Sequence, residues 1–258
     1  MDLKLGGKTV LITGGSKGIG RAAADTFAAE GCHLVLVARN AADLDAARAA
    51  ILRQANVSVE VVAADLALGG NVTSLAARFP EIDVLVNNAG AIPGGNLLEI
   101  DEAKWRAAWD LKVFGYINMC RAFYARMKAR GGGVIVNVVG AAAQTRDPEY
   151  ICGVAGNSAL TAFSQSLGSV SARDGIRVVA INPGPVATDR LVTLLRKRAA
   201  DRTGDPDSWR EFVKPMPFGR AAMPAEIAAA IVFLASEQSG YTSGSVVTID
   251  GGISARSG

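Results

Sequence analysis

Short runs of β-branched and aliphatic residues alternate with longer alanine-rich stretches along the chain. Thr9 to Ile12 reads as a strand, followed by glycines and a helix from about Gly18 to Glu30. Leu34 to Val37, a helix near Ala41 to Gln54, Val57 to Val62, a short helix and Ile82 to Val86 continue the alternation. A long helical pattern runs from Asp101 to Arg130. Then come a strand at Val134 to Val139, a helix from about Tyr150 to Arg173 and a strand at Arg177 to Ile181. A helix near Pro224 to Ala235 and a strand at Val246 to Ile249 close the pattern. The strands lack polar alternation, as strands buried on both faces do, and strand–helix alternation predicts a parallel sheet. The expectation is an α/β chain, a doubly wound parallel sheet with helices on both faces, in a single domain over residues 1–258.

The one long interruption, Thr188 to Arg220, carries eight basic and five acidic residues with Trp209, Phe212 and Phe218. An insertion after a strand reads as a substrate lid or as a plain surface excursion. An apolar pocket with a basic rim suits a carbonyl or alcohol bearing an acidic group, a thioester among them.

Composition narrows the field. Half of the 258 residues are hydrophobic and 20% are charged, which excludes a disordered chain. The net charge of +3 comes from 27 basic and 24 acidic residues without a basic block, so no nucleic acid is expected. Cys32, Cys120 and Cys152 are odd in number and without pairing or ligand spacing, which points to a reducing, cytoplasmic compartment. The start Met1-Asp2-Leu3-Lys4 does not read as a signal peptide, and no apolar run has the length of a membrane span. One histidine and no cysteine cluster leave no metal site to expect, and His33, at a strand start, reads as structural.

Gly14-Gly15-Ser16-Lys17-Gly18-Ile19-Gly20 follows the first strand and opens the first helix. Such a turn lets the backbone approach a pyrophosphate, and the free N–H groups at the helix start favour an anion. Asn87-Asn88-Ala89-Gly90 follows the fourth strand and Asn182-Pro183-Gly184-Pro185-Val186 the sixth. Tyr241-Thr242-Ser243-Gly244 and Asp250-Gly251-Gly252 flank the last strand. With these motifs in this order, nearly the whole chain resembles the short-chain dehydrogenase/reductase family. The resemblance implies a Rossmann-type sheet of about seven strands, a nicotinamide dinucleotide, a small-molecule carbonyl or alcohol substrate and a homo-oligomer, dimer or tetramer. It places cofactor contacts at Gly14, Ser16, Lys17, Gly18, Ile19 and Gly20, at Asn88, Ala89 and Gly90, and at Pro183, Gly184, Val186 and Thr188. Asp65 and Leu66 match the pair that contacts adenine.

The second strand ends Ala38-Arg39 where an NAD-binding fold usually carries a carboxylate. A guanidinium binds a 2′-phosphate that a carboxylate repels, and Lys17 adds a second charge. The expectation is NADP(H) in preference to NAD(H), with a solvated Arg39 as the alternative.

The family's catalytic side chains are all changed. Aligned on Ser158-Ala159-Leu160, the lysine position is Asn157, the tyrosine position Gly153 and the serine position Gly140; aligned on Gly115, the asparagine position is Lys112. Two readings stand. In the first, the enzyme is rewired: Lys and Asn are exchanged between 112 and 157, and Tyr150 leans across Gly153 as proton donor. Lys112 then stabilises the phenolate, Asn157 orients Lys112 or a water, and Gln144 or Thr145 replaces the serine. In the second, the chain binds NADP(H) without turnover, as a sensor or structural partner.

Overall fold

Alternate residues of the central strands enter opposite layers. Val10 and Ile12 of β1 (Thr9–Thr13) and Leu34 and Leu36 of β2 (His33–Ala38) join one apolar cluster; Leu11, Val35 and Val37 join the other. Both faces of each strand are therefore covered, which is why these runs read as continuously apolar. The computed structural model describes residues 1–256; the last two residues of the expected domain lie outside the described residues.

The remaining strands are β3 (Val59–Ala63), β4 (Val84–Asn87), β5 (Gly133–Val138), β6 (Ile176–Pro183) and β7 (Val246–Ile249). They form one seven-stranded sheet in the order β3-β2-β1-β4-β5-β6-β7, parallel throughout. One face is covered by α1 (Gly18–Ala29), α2 (Ala41–Leu52) and α9 (Pro224–Ala235), through Phe27, Leu44, Ile51, Ile227 and Ile231. The other is covered by α3 (Gly69–Arg78) and α5 (Gly115–Arg130), through Val72, Leu75, Met119, Phe123 and Met127. The strand order reverses between β1 and β4, so a crevice opens at their carboxyl ends.

Three elements differ from the sequence reading. The helix expected over Asp101 to Arg130 is α4 (Glu102–Trp109), a π turn over Asp110–Phe114, and α5. The Gly115 N–H reaches back to the Asp110 carbonyl, and the widened turn buries both Lys112 and Val113. Hydropathy periodicity does not resolve one extra residue in a turn. After the single turn α6 (Ala142–Thr145), the helix expected from Tyr150 is α7 (Ile151–Ser171), with Tyr150 its half-in cap at φ −138°. The interruption after β6 contains a full helix, α8 (Asp189–Thr203). Its only buried side chains are Leu195 and Ala199, so its charges hide the period. Its end signals were in the sequence: the Thr188 side chain accepts from the Leu191 N–H, and Gly204 takes a left-handed φ of 75°.

Arg177, expected simply as strand, stitches the sheet to α9. Its guanidinium donates to the Leu234, Ala235 and Ser236 carbonyls at 2.8, 3.1 and 3.0 Å. These are carbonyls at a helix end with no partner inside the helix. Arg177→Met is expected to lower stability by about 2–3 kcal/mol in chemical denaturation, since charged hydrogen bonds are lost and the carbonyls stay buried. An unchanged midpoint would show that water replaces the guanidinium.

Candidate active site

The crevice at the β1/β4 reversal is a cavity of about 1550 Å³, running from the glycine turn past β5 and β6 to α8. Its floor is tied together by two side chains. Thr13 Oγ1 accepts from the Asn88 and Ala89 N–H groups at 2.9 and 3.0 Å. Asn88 Nδ2 donates to the Thr13 and Gly14 carbonyls at 3.1 and 3.3 Å. The turn itself needs Gly14 at φ +66° and Gly18 at +57°. A Cβ on Gly20 would overlap the Gly14 carbonyl and the Asn88 amide, so this glycine packs the helix start on the turn. No side chain caps α1, and no acidic residue stands in its first turn. Its free N–H groups are therefore available to a phosphate, which fits the expected dinucleotide.

Most of the predicted cofactor residues line this one cavity: Gly14, Ser16, Lys17, Gly18, Ile19, Arg39, Leu66, Asn88, Ala89, Gly90, Pro183, Gly184, Val186 and Thr188. Gly20 lies behind the turn, and Asp65 is off the wall, its carboxylate accepting from the Ala67 N–H at 3.0 Å. Gly18 and Thr188 face each other: a Cβ on the former would lie 3.2 Å from Thr188 Cγ2. Arg39 is exposed on the wall, whereas Lys17 pairs with Asp43 at 2.8 Å. Asp43 escaped the sequence reading because its proximity arises only when α2 folds back beside the turn. His33 Nδ1 accepts from the Ser58 N–H at 3.1 Å, a structural contact between strands.

Lys112, Asn157 and Tyr150 also line the cavity. The π turn drives Lys112 across Gly90, where a Cβ would lie 2.5 Å from Lys112 Cδ. Its Nζ donates at 2.7 Å to both Tyr116 Oη and the Val138 carbonyl, which also accepts from Tyr116 Oη at 2.9 Å. The residue is 7% exposed. Burial, with the Arg190 charge adding to it, pulls the Lys112 ammonium down to about 7. Burial pushes the Tyr116 hydroxyl well above its usual range. Asn157 is buried against Gly140: a Cβ on Gly140 would lie 3.0 Å from Asn157 Nδ2. Asn157 Oδ1 has no partner.

The Tyr150 ring lies directly over Gly153, and a Cβ there would overlap it. The space left by the missing side chain is thus filled by a tyrosine from three residues earlier. Its expected partner is corrected, however. Lys112 spends its bonds on Tyr116 and Val138, and the cation at the Tyr150 hydroxyl is Arg190, whose Nη2 lies 3.4 Å away. The same Nη2 donates to the Ile92 carbonyl. Asn157 makes no hydrogen bond to Lys112, and Gln144 is off the wall, accepting from Thr248 at 3.0 Å; Thr145 lines it. Arg190 and Tyr116 were missed. Arg190 lay in the interruption Thr188 to Arg220, and Tyr116 inside the long helical pattern, neither with a role of its own. The i, i+4 spacing of Lys112 and Tyr116 was a visible signal.

Among the described residues, no cluster of histidine, cysteine or acidic side chains has the geometry of a metal site, and no helix is long and apolar enough to cross a membrane.

Known proteins share this architecture. Residues 8–199 match the family described as short chain dehydrogenase. The chain is 32% identical to 2-keto-3-deoxy-L-fuconate dehydrogenase of Xanthomonas campestris, over 97% of this chain and 81% of that protein. It is 35% identical to galactitol 2-dehydrogenase (L-tagatose-forming) of Cereibacter sphaeroides, over 96% of each. The crystal structure of L-sorbose reductase from Gluconobacter frateurii, complexed with NADPH and L-sorbose, superposes with a TM-score of 0.90 at 34% identity over the whole of both chains. This chain, with its Rossmann-type seven-stranded sheet, is an enzyme of the short-chain dehydrogenase/reductase family of oxidoreductases.

Proposed function

We propose that this enzyme interconverts a carbonyl and an alcohol with NADP(H) in preference to NAD(H), using a non-standard set of catalytic groups. The observation that carries the proposal is the Tyr150 ring standing over the bare Gly153 backbone, in the wall of the cleft. An aromatic that had merely lost its task would not need a cavity-facing hydroxyl beside a guanidinium. Relatives that act on sugar-like alcohols and ketones, and a neighbour that holds NADPH, support the same reaction class.

The first-turn N–H groups of α1 and the Gly14–Gly20 turn hold the phosphates. Ala38 puts no carboxylate beside the ribose, and Arg39 makes no ion pair among the described residues, so its guanidinium is available to a 2′-phosphate. Lys17, shared with Asp43, adds less. Leu66 and the neighbouring Asp65 turn face the adenine. Pro183, Gly184, Val186 and Thr188 line the other side of the cleft, and Asn88, Ala89 and Gly90 its floor. When bound, the nicotinamide supplies or accepts the hydride.

During reduction the Tyr150 hydroxyl gives its proton to the substrate oxygen, and Arg190 faces the phenolate left behind. Lys112 presents a buried positive charge that favours negative charge developing on that oxygen. Asn157 Oδ1, buried and with no partner in the protein, accepts from a water. The segment 188–220, through Leu191, Leu194, Phe212 and Met216, covers the outer end of the cleft as a substrate lid. We further propose a cytoplasmic homo-oligomer.

Four variants test this reading. Tyr150→Phe should lower kcat about 10²–10⁴-fold while NADPH affinity is kept, the usual worth of one positioned proton donor. Gly153→Ala, harmless to a helix backbone, should do the same by displacing the ring. Full activity in Tyr150→Phe removes Tyr150 as donor; NADPH binding with no turnover of any carbonyl or alcohol by the wild type favours the non-catalytic alternative.

Arg39→Asp should weaken NADPH at least about tenfold and shift preference towards NADH. Equal affinities before and after remove the 2′-phosphate argument.

Lys112→Met should stabilise the fold, and the sign follows from the proton balance. Above pH 10.5 Lys112 is neutral folded and unfolded. Between 10.5 and about 7 only the unfolded chain takes the proton, so the wild type loses stability as pH falls. Below about 7 both states are charged and the loss is constant. The stabilisation should therefore grow by on the order of 4 kcal/mol from pH 10.5 to 7, read by denaturant titration. A gain independent of pH would show that Lys112 keeps its ordinary affinity for the proton.

A further inference from the structure

We propose that the substrate of this cleft is an anionic carbonyl or alcohol compound whose carboxylate is anchored by Arg190. The proposal rests on the oxidoreductase reading of the same cleft and adds the chemical class of what it accepts.

Of the four other cations of α8, Arg202 lies 5.9 Å from the Phe212 ring and the remaining three are paired with carboxylates. Arg196 pairs with Asp207 at 3.2 Å, Lys197 with Asp201 at 2.7 Å and Arg198 with Asp147 at 3.4 Å. Arg190 bonds only to uncharged oxygens, the Ile92 carbonyl and the Tyr150 hydroxyl, both through Nη2. Among the described residues no carboxylate lies within 4 Å of its guanidinium, and its Nε and Nη1 donors have no acceptor. The neighbouring carboxylate, Asp189, acts on Lys17 at the glycine turn.

Lys112 is the second unbalanced charge. It is buried in the cavity wall, bonded to a phenol and a carbonyl, and has no acidic partner. The only charge that shifts its ammonium is that of Arg190, which acts against it. Buried Lys112 and exposed Arg190 line one cavity, and neither has a carboxylate partner among the described residues. A planar carboxylate answers both: it accepts from the open donors of the guanidinium, and it offsets the charge felt at Lys112.

The geometry also bounds the substrate's size. Arg190 and the Tyr150 hydroxyl are 3.4 Å apart. With about 2.3 Å from Nη2 to the open guanidinium donors and hydrogen bonds of ordinary length on each side, the carboxylate and the reacting oxygen lie at most about 11 Å from one another. That fits a keto acid or hydroxy acid of up to about eight carbons, not a long acyl chain with a distant head group.

The test separates anion binding from redox chemistry. In protein labelled with ¹³C-lysine and saturated with NADP⁺, the Lys112 ε-carbon resonance, assigned with Lys112→Met, is titrated with pH in the presence and absence of oxalate. Oxalate should raise the Lys112 midpoint by about one pH unit, a tenfold change in proton affinity. Arg190→Met should remove that response, and Arg190→Lys should keep part of it. No response to oxalate in the wild type overturns the proposal. So does a rise produced by NADP⁺ alone that leaves no response to oxalate, because the anion is then the cofactor's own phosphate.

A kinetic arm uses 5-keto-D-gluconate and L-sorbose, which differ only in a carboxylate for a hydroxymethyl group. The acid should be favoured in kcat/KM by tenfold or more, and Arg190→Met should erase the preference by raising KM for the acid. Preference for L-sorbose overturns the proposal. An oxalate response without turnover of either compound upholds the anion site and counts against the oxidoreductase reading instead.

Discussion

Everything in this cleft depends on the stitch between the ends of β1 and β4. Thr13 Oγ1 takes two backbone N–H groups from the β4 side, and the Asn88 amide returns two bonds to the β1 side. These bonds hold open the point where the strand order reverses. A parallel sheet alone would leave those backbone groups unpaired at a buried edge, each costing about as much as a lost hydrogen bond. Pairing them fixes the Gly14 turn, the turn aims the start of α1 into the cleft, and Gly20 sets how closely that helix start can pack. The binding half of the site is therefore a consequence of how two strand ends are satisfied.

The reacting half is governed by volume. Three glycines, Gly90, Gly140 and Gly153, lie under side chains that come from elsewhere: Lys112, Asn157 and Tyr150. At Gly140 and Gly153, where the family's side chains are missing, a neighbour reaching across bare backbone keeps the interior packed. The exchange is not freely reversible. Gly140 sits at φ +150°, which a serine adopts only under strain, and a side chain at 153 would collide with the Tyr150 ring. Each changed glycine is matched by its own neighbour, Gly140 by Asn157 and Gly153 by Tyr150.

The fold was legible in the sequence because its strands are buried on both faces and its turns use glycines at fixed offsets. Both signals are local, and so Leu34 to Val37 and Gly14 to Gly20 could be placed without any long-range information. The glycines at 140 and 153 were legible too, from spacing to Ser158. What was hidden depends on rotation and distance. One extra residue in the turn at Asp110–Phe114 turns Lys112 towards Tyr116 and Val138. The contact between Tyr150 and Arg190 spans forty residues and needs α8, whose narrow buried stripe at Leu195 and Ala199 lies beneath a charged surface. Spacing says which residue types persist; it does not say which of them meet.

Lys112 sharpens the argument about purpose. A lysine buried without a counter-ion weakens the folded state at neutral pH, and methionine would fill the same space without that cost. Its two acceptors, a phenol and a carbonyl, solvate the ammonium but do not neutralise it. Arg190 makes the position less favourable still. Stability gives no reason to keep a buried, unpaired ammonium in a cavity wall that also carries the exposed Arg190 guanidinium. On the reading proposed above, the reason lies in what enters the cavity: the negative charge that develops on a substrate oxygen during hydride transfer, and the carboxylate that holds the substrate in place while it does.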